Sequence, residues 1–559
     1  MNRKIIYLVF SLFVITACSD LDLNPLSEGS SENWYSNETE IQMALNDIYR
    51  SAFWPLDGED WTDNWTKRNG TTPITDGTIN SEWGTSKDRW GLSYKAIARA
   101  NTILGSLERA ANAVPEAKLK QFEAAAKFVR AAHYGYLVTH FGDVVFFTKV
   151  LDLEESFTLG RTDKNTIMEA VYADFDFAIE NLPESYSNSE NKLATKGAAM
   201  AYKARIALYM GDYQLARDAA KACMDLDVYE LYPDFDELFL SSTKNSSEEI
   251  LGFPRSTELG SSLGTANYIS RTAGGWGQSD PSWDLLCAFL CTDGLPIDES
   301  PLYDPHNPFN NRDPRCAGTI VEFGTPHLGF IYQPHPDSLQ VLNLKTGNYQ
   351  YNHDTRTNKF YASFNGLLWK KGVDEDWSDD KKAENTKILM RYADVLLMYA
   401  EAKIELNEID QTVLDAINKV RARAYKVDVG AVSDYPAVTT ISQDELRKQL
   451  RIERRMEFAW EGTRYMDIIR WRIAENVLTK DIYGLVDEAK DKLVDANLWF
   501  FPATPEIDED GAPDFTPMYN DGLVKLLAVR DFDASRQYLW PIPAKEILIN
   551  ENLTQNPGY

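Results

Sequence analysis

The sequence predicts a mostly α protein: a scaffold of stacked helix pairs carrying a large loop-rich, irregular portion that forms a ligand face. Three observations carry that reading. Apolar residues recur at helical spacing through much of 33–230 and again over 386–475. Two other stretches, 231–385 and 476–559, are rich in Pro, Gly, Asn, Asp and aromatics and hold few periodic runs. Long irregular stretches of this kind in a compact chain are usually functional. Aromatic content is 12%, with 14 Trp and 28 Tyr, and aromatics beyond the needs of a core often face a ligand.

The chain opens on two cations, Arg3 and Lys4, and then an apolar run, Ile5 to Ile15, broken only by Ser11. That run is shorter than the ~20 residues a bilayer-spanning helix needs. With small residues Thr16 and Ala17 behind it, 1–17 reads as a secretory signal peptide. "ITAC" has the form of a bacterial lipobox, which predicts lipidation of Cys18. Several acyl chains anchor stably where one holds only marginally. The polar stretch 18–32 reads as a tether. No other segment is apolar enough to span a membrane. The formal charge is −28, and −30 once Arg3 and Lys4 leave with the signal. A surface that acidic argues against nucleic acid and against lying flat on anionic lipid.

The helical elements follow in order. "NETEIQMALNDIYRSAF" repeats Ile41, Leu45 and Ile48. "LSYKAIARANTILGSLERA" repeats Ile97, Asn101, Leu104 and Leu107. "EAKLKQFEAAAKFVRAAHYGYLVTHFGD" places Leu119, Phe122, Ala126, Val129, His133 and Tyr136 on one stripe. "TIMEAVYADFDFAIENLP" continues the pattern and stops at Pro183. "ATKGAAMAYKARIALYMGDYQLARDAAKACMDLD" sets two amphipathic runs around Gly211 and Asp212, in the layout of a tetratricopeptide-like pair. "RYADVLLMYAEAKIELNEIDQTVLDAINKVRARAY" is a second such pair. Stacked pairs bury a continuous core that one pair alone cannot.

Catalytic and metal constellations are weak. In "RIERRMEFAWEGTRYMDIIRW", Ser442 and Glu445 suggest a capping box, and Glu453 and Glu457 could be read as an acid–base pair. Each acid has an Arg at helical spacing, which favours ionised structural pairs. The chain therefore reads as a binder and not an enzyme. His133 and His140 are too far apart along one helix for a shared metal. His306, His327, His335 and His353 lack metal-site spacing. "IDEDGAPD" (507–514) lacks the EF-hand order and its terminal Glu. No cofactor is expected; a calcium ion in that loop is the one alternative. Cys223, Cys287, Cys291 and Cys316 read as core thiols, although export would permit a disulfide.

The tryptophans carry the ligand expectation. Trp54, Trp61, Trp65, Trp83 and Trp90 fall in one stretch among Asp, Asn, Thr, Arg and Lys. An indole packs against the C–H face of a pyranose, and short polar side chains bind its hydroxyls. Trp90, Trp54 and Trp283 read as packing. Trp61, Trp65, Trp83 and the Gly-flanked Trp276 are the candidate platforms, with Arg68, Asp76 and Asn80 as hydroxyl partners. Tyr349, Tyr351 and Trp369 are weaker candidates.

The chain also resembles the SusD/RagB family of outer-membrane lipoproteins. "EAAAKFVRAAHYGYLVTHFGDVVFFTK", "WGLSYKAIARANTIL", "ATKGAAMAYKARIALYMGDY", "PSWDLLCAFLCTDG", "NRDPR", "MRYADVLLMYAEA", "AINKVRARA", the "RIERRMEFAWEGTRYMDIIRW" run and "YLWPIPAKEILINENLTQNPGY" carry the likeness. The resemblance implies a signal peptide (1–17), a lipidated tether (18–32), a helical N-terminal region (33–230) and a C-terminal region (231–559). Within the last, 386–475 holds helix pairs, flanked by loop-rich 231–385 and 476–559. It implies a lipid-anchored protein facing the cell exterior from the outer membrane. Such a protein binds an oligosaccharide or polysaccharide and delivers it to a SusC-like TonB-dependent transporter. The alternative within the same lid-like architecture is a peptide or protein ligand. Glycan contacts in the family lie in variable loops, so no motif carries them over residue by residue.

Overall fold

The computed structural model describes residues 34–68, 70–187 and 193–559; the signal, the tether and Cys18 lie outside the described residues. The predicted helices form. They are α1 (Glu38–Ile48), α2 (Gly84–Ser106), α3 (Glu116–Phe141), α4 (Lys164–Asn181), α5 (Lys196–Met210) and α6 (Tyr213–Met224). After a long excursion come α7 (Tyr392–Glu405), α8 (Gln411–Ala424), α9 (Gln443–Phe458) and α10 (Arg464–Arg470). Local chemistry sets several boundaries. The Asn37, Asp163, Thr195 and Asp410 side chains each accept a backbone N–H in the first turn of α1, α4, α5 and α8. Leu182 before Pro183 is extended and ends α4. Gly211 closes α5 in the left-handed region, φ 82°. Ser442 and Glu445 do not form the expected capping box: no side-chain cap bond is made at Ser442, whose own N–H instead bonds the Thr440 hydroxyl.

Packing follows chain order as in a solenoid. Helix α2 packs on α3, α3 on α4, α4 on α5 and α5 on α6. Helix α7 then packs on α6 and α8, as though the long excursion were absent. Helix α7 is buried at every position from Tyr392 to Ile404, which suits its nearly continuous apolar sequence. The scaffold is thus mostly α and tetratricopeptide-like.

The excursion leaves and rejoins the scaffold at one place. There the strands Glu249–Phe253 and Lys387–Arg391 pair antiparallel. Beyond them the irregular part has its own core. Trp283 is held edge-on by Phe501, with ring centroids 4.9 Å apart, and Phe500 and Phe515 close around it. Cys287, Cys291 and Cys316 belong to this core, and Cys223 to the helical one; all four thiols are free and buried. Burial pushes the Cys223 and Cys316 thiols up to about 12. Trp369, a weaker ligand candidate from sequence, is fully buried here beside Trp460.

Candidate functional site

A short strand, β1 (Trp65–Lys67), organises the candidate site. It pairs antiparallel with β2 (Ser279–Pro281), joining the end of the first loop to the excursion. Side chains alternate across a strand. Trp65 and Lys67 face one side, where they line a cleft of about 470 Å³ together with Tyr268, Trp377, Trp460 and Asn267. Arg68, whose N–H extends the ladder to the Gln278 carbonyl, belongs to the other side.

There an aromatic and cationic face is exposed. The Arg68 Nη2 donates to the carbonyl of Trp276 at 2.7 Å. The Arg68 guanidinium lies 5.7 Å from the ring centroid of Tyr361 and 5.9 Å from that of Phe364. Arg271 lies 5.8 Å from the same Tyr361 ring, and its Nε donates to the Tyr361 carbonyl at 2.6 Å. Arg356 is 4.3 Å from the Phe364 ring and 6.0 Å from Phe360. Trp276, Phe360 and Tyr361 are half or more exposed as residues (50%, 67% and 58%). Exposed rings beside fixed guanidinium donors can stack on a sugar and bond its hydroxyls.

Backbone bonds hold this face. Trp276 N–H donates to Ala266 at 2.7 Å and Gly275 N–H to Ser270 at 2.8 Å. A Cβ at Gly275 would stand 2.4 Å from the Ile269 carbonyl oxygen, so only glycine fits. Asp354 accepts the N–H groups of Arg271 and Thr272, at 2.7 and 3.2 Å. Behind Arg68, Asp280 is buried and accepts from the Ser363 hydroxyl at 2.9 Å. Burial pushes its carboxyl up to about 8.

The sequence-predicted residues divide accordingly. Arg68 and Trp276 meet on the exposed face, whereas Trp65 lies across β1 in the wall of the cleft and is itself buried in the core of the irregular part. Trp61 is 5% exposed and offers no platform. Its ring packs edge-on against Trp83, Tyr465 and Trp540, at 5.3–5.7 Å. Trp83 is partly buried in the same cluster, 4.9 Å from Trp540, at the entry to α2. These two seal loops onto the scaffold. Asp76 and Asn80 are also engaged locally. Asp76 accepts from Thr71 at 2.9 Å and from the Thr78 N–H at 3.1 Å. The Asn80 oxygen takes the Glu82 N–H and its amide donates to Thr78. Tyr349 and Tyr351 are exposed on the Gln340–Asn343/Asn348–Tyr351 hairpin. Sequence reasoning missed Arg271, Arg356, Phe360 and Tyr361. The signal was present in "RTNKFYASF", where two adjacent aromatics sit among polar residues.

Glu453 and Glu457 of α9 form ion pairs, with partners other than those the helical spacing suggested. Glu453 accepts from Arg315 at 2.6 Å and Arg421 at 2.9 Å. Glu457 accepts from Arg391 at 2.6 Å, from Arg315 at 3.0 Å and from Arg423. The helix's own Arg454 and Arg455 turn instead to Asp394, Asp467 and Asp63. Burial would raise the Glu457 carboxyl, but Arg423, Arg391 and Arg315 hold it far below the usual carboxylate range. Among the described residues no group of three or more His, Cys, Asp or Glu is placed to hold a metal ion. In the 507–514 turn, Asp508 accepts the N–H groups of Asp510 and Ala512, both at 3.0 Å.

Comparison with known proteins decides the lineage. Residues 242–559 match the model of the SusD family. Residues 28–208 match a second model, described as starch-binding associating with outer membrane. The chain belongs to the SusD family. It is 25% identical to SusD-like protein P2 of Formosa agariphila, across all of this chain and 99% of the relative. The crystal structure of a SusD-like carbohydrate binding protein from Bacteroides fragilis superposes with a TM-score of 0.77 at 29% identity, over 93% of this chain and 99% of that one. A laminarin binding SusD-like protein shares the fold, with a TM-score of 0.62 at 20% identity over 94% of this chain and all of the other. SusD-family membership accounts for the helical scaffold.

Proposed function

We propose that this SusD-family protein captures an oligosaccharide on the face formed by Trp276, Tyr361 and Phe360, with Arg68 and Arg271 as hydroxyl partners. It then delivers the sugar to a SusC-like TonB-dependent transporter. Lipid at Cys18 holds it to the outer membrane, facing the cell exterior. The observation that carries the reading is Arg68, whose guanidinium lies 5.7 Å from the ring centroid of the exposed Tyr361 and bonds the carbonyl of the half-exposed Trp276. Planar rings lose little freedom on binding, so a shallow face of this kind can hold a chain through several modest contacts. The Bacteroides fragilis carbohydrate binding relative supports the ligand class.

Affinity electrophoresis of the soluble protein beginning after Cys18, against plant, fungal and host polysaccharides, tests the capture step. Binding to one class, lost in Trp276→Ala and Tyr361→Ala with folding intact, is expected. Binding that survives both substitutions would move the site elsewhere. Delivery predicts that the native protein copurifies with an outer-membrane β-barrel, and that a Cys18→Ala chain no longer fractionates with lipid. Recovery of the anchored protein with no barrel partner would refute delivery.

A further inference from the structure

Resting on that glycan-capture reading, we infer that the ligand is an anionic saccharide, carrying carboxylate or sulfate groups that Arg68 and Arg271 recognise, with Arg356 adding positive charge from behind them. The argument begins with the distribution of charge. The protein carries a formal −28, yet three guanidiniums share one small area. Arg68 and Arg271 flank one ring, Tyr361, and Arg68 and Arg356 flank another, Phe364.

Their counter-charges are few. Among the described residues, Arg68 and Arg271 have no carboxylate within ion-pair distance; both spend hydrogen bonds on backbone carbonyls. Arg356 alone has a partner, Asp487. Two acids lie behind the cluster. Burial pushes the Asp280 carboxyl up to about 8, so this acid offsets little of the cationic charge, while Asp354 accepts the backbone N–H groups of Arg271 and Thr272. Burial is the main influence lowering the Arg68 guanidinium; the like charges of Arg271 and Arg356 add to it, and Asp280 opposes them. A neutral sugar would leave that crowding as it is. A carboxylate or sulfate bound between Arg68 and Arg271 would relieve it, with charge-assisted hydrogen bonds in the planar geometry guanidinium favours.

The surrounding surface sharpens the effect. A strongly acidic protein repels polyanions generally, so one cationic face with exposed rings would direct such a chain to a single place. Trp276 and Phe360 then serve the apolar faces of the sugars, and the arginines their anionic substituents.

The test uses paired probes on the full soluble chain: polygalacturonate against its carboxyl-reduced form, and a sulfated galactan against its desulfated form. Laminarin serves as a neutral control. The expected result is binding to at least one anionic probe, weaker by about tenfold or more for its neutralised partner. Affinity should also fall steeply between about 50 mM and about 500 mM NaCl. Arg271→Gln should lose about tenfold in affinity, and Arg271→Lys, which keeps the charge but neither the planar fork nor the Tyr361 bond, should recover only part of that loss. Thermal melting of both variants separates loss of binding from loss of fold. Salt-independent binding of a neutral glycan, indifferent to Arg271→Gln but lost in Trp276→Ala, would overturn the anionic assignment and leave glycan capture standing. Failure of every probe by a folded protein would overturn both.

Discussion

Arg68 Nη2 lies 2.7 Å from the carbonyl oxygen of Trp276, across 208 residues of sequence. The bond fixes the Trp276 backbone and leaves its indole half exposed. The two residues therefore contribute differently: Arg68 both positions the loop and faces the ligand, and Trp276 offers the ring. Trp276→Ala should lower glycan affinity by about tenfold or more, which is ~1.4 kcal/mol, with no change in melting temperature. Arg68→Ala should weaken binding too, but with faster hydrogen exchange at 271–278. Equal exchange in both variants would deny Arg68 its positioning role.

Trp61 should behave in the opposite way. It is wedged among Trp83, Tyr465 and Trp540 at the junction of loop and scaffold. Truncation leaves a cavity where packing cannot easily collapse, so Trp61→Ala should cost about 3–5 kcal/mol in urea unfolding. The folded fraction should still bind glycan. A variant of unchanged stability that no longer binds would return Trp61 to the ligand site.

Glu457 anchors a buried charge network that ties α9 to the excursion through Arg315 and Arg391 and to α8 through Arg423. Neutralising one acid leaves buried guanidiniums short of counter-charge. Glu457→Gln should therefore destabilise the protein by about 3–5 kcal/mol. If Glu457 were instead a proton donor in catalysis, the variant would remain stable and lose a hydrolytic activity; chemical denaturation and a reducing-sugar assay tell the two apart.

The helical scaffold was legible because its signal is local. Ile41, Leu45 and Ile48 repeat at the period of the helix they bury, and Gly211 marks a turn by its own backbone freedom. The candidate site was only partly legible because it is assembled from afar. Arg68 and Trp276 could be picked out as residue types suited to sugar. Nothing local distinguishes Trp276, whose ring is left outside, from Trp61, whose ring is sealed by Trp540 near the far end of the chain. Asp76 and Asn80 look like free polar groups in sequence, yet short turns occupy them. Tyr361 enters the site only because β1 and β2 pair and bring the excursion to Arg68. The partners of Glu457 were hidden for the same reason: spacing along α9 pointed to its own arginines, and the fold supplied others.

Asp280 should make the protein less stable as pH rises. Burial is the main cause of its raised value, about 8, which the hydrogen bond from Ser363 and the charges of Arg68 and Arg271 only moderate. An unfolded aspartate titrates near 4. Between about 4 and about 8 the folded chain keeps a proton that the unfolded chain has released, so unfolding stability falls with rising pH across that window. Each pH unit within it contributes up to about 1.4 kcal/mol. Asp280→Asn removes the titration and keeps an oxygen for Ser363. The variant should gain on the parent steadily from pH 5 to pH 8 in urea unfolding, and the gap should close towards pH 4. Parallel pH profiles for the two proteins would show that Asp280 is ionised in the fold. Arg68 would then have a nearby counter-charge after all, and the anionic-ligand assignment would lose one of its supports.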